Sequence, residues 1–367
     1  MSGLSGSGGN RSLHVLLLVG GRSPEHPISL RSGATVLDGL REAGHRVTLV
    51  GITRDGLWVH GDDLAPQLDR ARKTIADLDG SSATAVTLVW TGSATRLVAL
   101  SGDSLGGGAG DPVDVVFPMV HGPNGEDGTL QGLLELARVP YVGAGPTASA
   151  LAMDKLAMKT LCAGAGIPQV EFFAAGDADA STLDAKVQAS FGYPCYVKPA
   201  NLGSSVGVSR VREASALAAA LADARRFDDR VLIERGCEAR EIEIAILGSK
   251  PGELSPVGEI LPADGIYDFD SKYVDATAGL RAPTEIPEAA LGRLHEVAFA
   301  AWDLIGGRGM ARIDFFLEKS TGAVLLNEIN TIPGFTSISM YPRLWAAAGL
   351  PLAGLVDKLI DLALARR

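Results

Sequence analysis

Four polar residues fall in pairs, two apart, on neighbouring apolar runs near the C-terminal end: Arg312 with Asp314, and Glu328 with Asn330. In extended chain, residues i and i+2 share a face. If the two runs pair across the turn at 319–322, one surface carries two carboxylates, an amide and a guanidinium. Ile313, Phe315, Leu317, Leu325 and Ile329 then form the buried side. Hard oxygen donors grouped in this way suit Mg²⁺, which keeps part of its shell for phosphates and water. A solvated sheet face with incidental charges is the plainer alternative. Upstream, Lys198 lies in an apolar strand-like run, where a lysine is costly to bury unless it meets an anion. The loop Gly203-Ser204-Ser205-Val206-Gly207 follows it, with backbone N–H groups and hydroxyls able to wrap phosphate oxygens. It fits neither GxxxxGK[ST] nor GxGxxG, and an ordinary hairpin turn also explains it.

Three further stretches carry candidate chemistry. His121 ends an apolar run at 113–120 and opens His-Gly-Pro-Asn-Gly-Glu-Asp-Gly, at the carboxyl edge where open parallel sheets bind ligands. After the candidate metal face, the Pro333-Gly334 turn and the hydroxyls of Ser337 and Ser339 could receive a carboxylate or an oxyanion, or simply lead into a helix. Lys272 and Tyr273 sit in a polar, aromatic, aperiodic stretch from 261 to 278, which reads as a covering loop or as solvated surface.

The elements that must position these groups follow from pattern. The all-apolar run 13–19 before Gly20-Gly21 reads as a buried parallel strand, followed by an amphipathic helix at 28–43 and a strand at 46–52, a βαβ opening. The pattern loosens from 61 to 111, which reads as edge structure and insertions, and returns with a helix at 129–137 and a short strand at 139–142. Strands and helices then alternate, and the glycine loop at 203–207 reads as a hairpin. The expected class is α/β (α+β), with units at 13–145, 146–236 and 237–367 after a flexible Gly/Ser leader at 1–12.

With 33 basic and 43 acidic residues among 367, the formal charge is −10, which argues against a general nucleic-acid binder. Three scattered cysteines show no metal spacing and read as reduced thiols. No apolar run approaches the ~20 residues of a membrane span. A cytoplasmic protein without membrane or nucleic-acid partners is expected.

Taken together and in order, the turn Gly20-Gly21-Arg-Ser-Pro-Glu25, the motif at 121–128, Met153-Asp-Lys155, Val197-Lys-Pro199, the loop at 203–207, Lys272-Tyr273, Arg312-Ile-Asp314 and Glu328-Ile-Asn330 with Pro333-Gly334 resemble the D-alanine–D-alanine ligases, ATP-grasp enzymes of bacterial wall synthesis. The resemblance covers nearly everything from residue 13 to about 364, apart from 61–111. It implies a three-domain ATP-grasp fold with an N-terminal parallel-sheet domain and ATP between the central and C-terminal domains. It also implies that Lys155, Lys198 and Ser205 meet the nucleotide phosphates, that Glu234, Arg235 and Cys237 line the adenine pocket, and that Glu241 holds the ribose. Asp314, Glu328 and Asn330 would bind two Mg²⁺ ions, with Mn²⁺ as a substitute. Glu25, with Ser204 and Tyr273, would fix the first D-alanine beside His121. Lys272, Ser337 and Ser339 would surround the second carboxylate or the transferred phosphate, while Arg312 and the Gly334 N–H stabilise an oxyanion. Tyr273 favours the dipeptide product over D-serine or D-lactate acceptors. Relatives of this kind imply a homodimer formed through the N-terminal unit.

Overall fold

The computed structural model describes residues 12–261 and 279–366. Its first sheet contains β1 (His14–Gly20), β2 (Arg46–Ile52), β3 (Trp58–His60), β4 (Thr84–Trp90), β5 (Thr95–Ala99) and β6 (Val115–Met119), in the order β5-β4-β3-β2-β1-β6. β1 is buried along its whole length and pairs in parallel with both β2 and β6, which explains its unbroken apolar run. The remaining pairs are antiparallel, so the loose region 61–111 forms the edge of this sheet. At 139–142 the expected strand reduces to a single bridge, Val116 to Tyr141.

The second sheet is antiparallel, ordered β7-β10-β8-β9, with β7 (Phe172–Ala174), β8 (Cys195–Pro199), β9 (Ser209–Val211) and β10 (Val231–Arg235). The loop at 203–207 joins β8 to β9 as the expected hairpin. The third sheet is ordered β13-β12-β11-β14-β15, with β11 (Ala239–Leu247), β12 (Glu253–Leu261), β13 (Gly279–Arg281), β14 (Met310–Glu318) and β15 (Val324–Asn330).

The cores do not follow the sheets one to one. Helices Pro146–Met153 and Lys155–Gly164 send Ala148, Ala152, Met158 and Cys162 into the core beneath the third sheet. The last helix, Leu352–Leu364, buries Leu355, Val356, Leu359 and Ile360 in the core of the first sheet, against helix His26–Glu42. Phe335 bridges the same core, 6.3 Å from the Phe117 ring and 5.3 Å from that of Tyr341. Among the described residues no helix is long and apolar enough to cross a membrane.

Candidate active site

The expected strand pairing forms and brings the four polar residues together, by a route the pattern did not show. β14 and β15 pair so that Arg312 lies opposite Asn330 and Asp314 opposite Glu328. The register then slips, and Phe315 lies opposite Leu326, leaving Asn327 as the extra residue of a β-bulge. The bulge turns Leu326 and Ile329 both into the core and Asn327 and Glu328 both toward the cleft. Leu325 is buried as expected, but opposite Phe316 and outside the core that takes Leu326 and Ile329.

Within this face Arg312 donates to both oxygens of Asp314, at 2.8 and 2.7 Å, and its Nε lies 3.2 Å from Glu243 Oε1. Asn330 Nδ2 adds a bond of 3.1 Å to Asp314 Oδ2. Burial opposes the charge of Arg312, yet Asp314 and Glu243 raise its pKa well above the ordinary value. Among the described residues no group of three His, Cys, Asp or Glu side chains is arranged for a metal. The donor set here is two carboxylates and an amide, which fits an ion that completes its shell with phosphate oxygens.

Two cavities meet at this face. The larger, about 630 Å³, lies between the second and third sheets and is lined by Lys155, Lys198, Ser205, Arg235, Cys237 and Glu241, together with Asp314. The smaller, about 200 Å³, opens toward the first sheet and is lined by Glu25, His121, Arg312, Gly334 and Ser339. Lys155, Gly203, Ser204, Glu243 and Glu328 line both, so the two form one continuous cleft.

Local folding explains how Glu25 reaches the cleft. Gly20 has φ +92°, and a Cβ there would sit 2.2 Å from the Ile52 carbonyl oxygen, so only glycine permits this turn. Gly20 N–H donates to Ser29 Oγ at 2.7 Å, and Ser29 in turn donates to the Met119 carbonyl, tying the turn to β6. Glu25 stands at the N-cap of helix His26–Glu42, but its carboxyl does not cap the helix; Ser204 donates to it across the cleft. Ser204 and Ser205 have φ of 50° and 59°, a left-handed pair in the hairpin loop. Lys155 Nζ holds the same loop through the Leu202 carbonyl at 2.5 Å and lies 3.9 Å from Glu328.

His121 is buried against the smaller cavity in its neutral form. Its Nδ1–H donates to the Ile332 carbonyl at 3.0 Å, and Nε2 accepts from Ser32 at 3.0 Å. Ser32 Oγ accepts in turn from the Phe335 N–H at 3.1 Å, which leaves the Ser32 proton for the ring. Burial lowers the His121 pKa to about 4, with Arg312 adding to the effect. Because the folded value lies below the unfolded one, His121 costs stability as pH falls from about 6.5 toward 4. Between pH 7.5 and 5 this loss is expected to be about 2 kcal/mol. Urea unfolding at the two pH values should show a smaller difference in His121→Gln than in the parent; equal differences would exclude His121 as the source.

Several expected residues sit otherwise than the pattern implied. Glu234 turns its carboxyl away from solvent to Lys159 and Lys198. Arg235 pairs with Glu171 at 2.7 Å and Glu318 at 3.0 Å, and Cys237 donates to Glu318 as well, so these two reach the cavity wall with their polar groups engaged. Ser339 Oγ accepts from the Thr336 N–H at 3.0 Å and lines the small cavity, whereas Ser337 is exposed and lines neither cavity. Lys272 and Tyr273, with most of the expected covering loop, lie outside the described residues.

Glu126, Lys159, Glu243 and Arg343 belong to the site or its support and were not singled out. Glu126 is half-buried in the wall of the smaller cavity, accepting from Gly122 N–H at 2.6 Å and Ile332 N–H at 3.3 Å. Burial, with Glu25 nearby, pushes its carboxyl up to about 8. Only its place in the motif at 121–128 hinted at it.

Two antiparallel sheets clasping one cleft, with Lys155 and Lys198 on one side and hard oxygen donors on the other, are the architecture of an ATP-grasp enzyme. Residues 14–144 match the model for the D-ala D-ala ligase N-terminus, and residues 161–361 that for the D-ala D-ala ligase C-terminus. A D-alanine–D-alanine ligase of Heliobacterium modesticaldum is 42% identical over 359 residues, covering 96% of this chain and 94% of that protein. The solved D-alanine–D-alanine ligase of Coxiella burnetii aligns with a TM-score of 0.82 and 35% identity, over 96% of this chain and 94% of that one. The VanG D-Ala:D-Ser ligase of Enterococcus faecalis aligns at 0.82 and 31%, over 96% and 100%. The chain belongs to the D-alanine–D-alanine ligase family.

Proposed function

We propose that this protein joins two D-alanine molecules into D-alanyl-D-alanine at the expense of ATP, supplying a peptidoglycan precursor. The observation that carries this reading is the single cleft in which a nucleotide-sized cavity opens, past Lys155, Glu328 and Ser204, onto a small pocket walled by Glu25 and Arg312. The first D-alanine would rest its ammonium against Glu25, which Ser204 holds and Tyr273 would help to hold, with neutral His121 closing the pocket. Its carboxylate oxygen attacks the γ-phosphorus of ATP and ADP leaves, while Lys155 and Lys198 receive the phosphate charge. The amine of the second D-alanine then attacks the acyl phosphate carbon, loses a proton, and phosphate departs. Arg312 and the Gly334 N–H would stabilise the tetrahedral oxyanion between these steps. Lys272 with Ser339 would hold the second carboxylate or the leaving phosphate, and Ser337 would join them only if its exposed loop turned inward.

Cys237 and Arg235 would border the adenine, and Glu241 would meet the ribose. Asp314, Glu328 and Asn330 would hold two Mg²⁺ ions, or Mn²⁺, whose charge screens the phosphates. The same reading extends to three units at 13–145, 146–236 and 237–367, to a homodimer and to a cytoplasmic setting.

The experiment is release of ADP with D-alanine as sole amino acid, then with D-serine or D-lactate added. Turnover on D-alanine alone is expected. A strict requirement for either of the other acceptors would replace this reading with the D-serine or D-lactate alternative.

A further inference from the structure

Behind the nucleotide cavity lies a buried group of three charges. Glu234 occupies the middle of β10, with Oε1 2.9 Å from Lys159 Nζ and Oε2 2.5 Å from Lys198 Nζ. The side chains of Lys159 and Glu234 are each 1% exposed, that of Lys198 14%. Only Lys198 of the two lysines lines the cavity. Lys159 is delivered by helix Lys155–Gly164, which seats Leu156, one turn earlier, against Ala200, Leu232 and Phe172 on the face of the second sheet. Its ammonium also lies 5.6 Å from the centre of the Phe172 ring.

Two ammonium groups against one carboxylate leave one positive charge, and only the Lys198 end opens to the cleft. Burial pushes the Glu234 carboxyl up, but Lys159 and Lys198 together outweigh it and hold its pKa at about 2. Glu234 is therefore an anion sealed within the fold, and it needs a counter-charge whether or not nucleotide is bound.

We propose that Lys159 is a positioning residue for nucleotide binding: it balances Glu234 from behind, so that Glu234 can hold Lys198 in place without consuming its charge. Without Lys159, Glu234 and Lys198 would form a closed neutral pair, and the nucleotide phosphates would compete with a buried carboxylate for one ammonium. The inference rests on the reading that Lys198 meets those phosphates.

The test is ADP binding in the presence of Mg²⁺, measured by calorimetry on the full chain, with KM for D-alanine measured alongside. Lys159→Met should weaken ADP binding about tenfold or more, with KM for D-alanine within about threefold of the parent. Lys159→Met combined with Glu234→Gln removes the uncompensated carboxylate, and ADP binding should recover several-fold over Lys159→Met alone, short of the parent because Lys198 is then less firmly held. A merely structural role would not give that recovery, since the second change would add its own damage. If Lys159→Met alone does not fold, the double variant carries the test, and binding weakened about tenfold in it overturns the proposal. Unchanged ADP binding in Lys159→Met, or a double variant that binds no tighter than Lys159→Met, overturns it as well. Lys198→Met separates the two readings. If it leaves ADP binding unchanged, the placement of Lys198 at the nucleotide fails, and this inference with it; if it weakens binding while Lys159→Met does not, this inference alone fails.

Discussion

Arg312→Met is expected to lower kcat by about 10³-fold and to destabilise the protein by about 3 kcal/mol. The catalytic part follows from position. The guanidinium lines the smaller cavity and bonds to Asp314 in the wall of the larger, where negative charge would develop on the carbonyl oxygen during amine attack. A fixed donor there acts on the transition state without reorganising. The stability part follows from what the guanidinium leaves behind. Asp314 accepts two bonds from it and Glu243 lies 3.2 Å away, both in an interior where an unpaired carboxylate is expensive. Arg312→Lys keeps the charge but cannot engage both oxygens of Asp314 in parallel, so it should lose less stability and still lose about 10²-fold in kcat. Coupled assays of ADP release and urea unfolding read the two effects separately. A kcat for Arg312→Met within about tenfold of the parent would remove Arg312 from the chemistry.

Glu328→Gln should have a comparable effect on turnover with almost none on stability. The side chain is 27% exposed, lies opposite Asp314 across the β14–β15 ladder and is 3.9 Å from Lys155. Its ion pair with Lys155 is long, and Lys155 is also held by the Leu202 carbonyl, so the change should stay within about 0.5 kcal/mol. The amide keeps one oxygen but loses the negative charge that a divalent ion requires, and kcat should fall about 10³-fold. Raising the Mg²⁺ concentration should recover part of the rate. A near-normal rate at ordinary Mg²⁺ would show that the paired face does not hold the ion.

These two residues were legible in the sequence because spacing alone places them: i and i+2 on one strand, repeated on the next. What spacing cannot reveal is a slip in that rule. The bulge at Asn327 puts Leu325 on the other face from Ile329, though still buried, because an inserted residue inverts every alternation beyond it. β12 was hidden for a related reason. Pro256 interrupts its run, and a proline argues against a paired strand. The ladder skips at Ile244/Ile246, opposite that proline, and Ser255 Oγ accepts the Ala245 N–H in place of a backbone carbonyl. Lys159 and Glu234 lie 75 positions apart (234 − 159), one on a helix and one on a strand, and no local period links them. Glu126 sat within a recognised motif, but its bond from Ile332 is reached only when the chain folds back.

The core beneath the first sheet has one more consequence. Its lining is completed by helix Leu352–Leu364, which lies so close to helix His26–Glu42 that a Cβ on Gly39 would stand 2.9 Å from Leu352. His45 also reaches Asp357 at 2.8 Å, across 312 positions of sequence. During synthesis, the first sheet would wait for helix Leu352–Leu364 before its apolar floor closed. Until then Leu37, Leu40 and their neighbours would face water or a chaperone, and the loop to be closed would be nearly the length of the chain. The strands of this sheet can pair with one another early, but the core beneath them closes only when residues more than 300 positions away arrive.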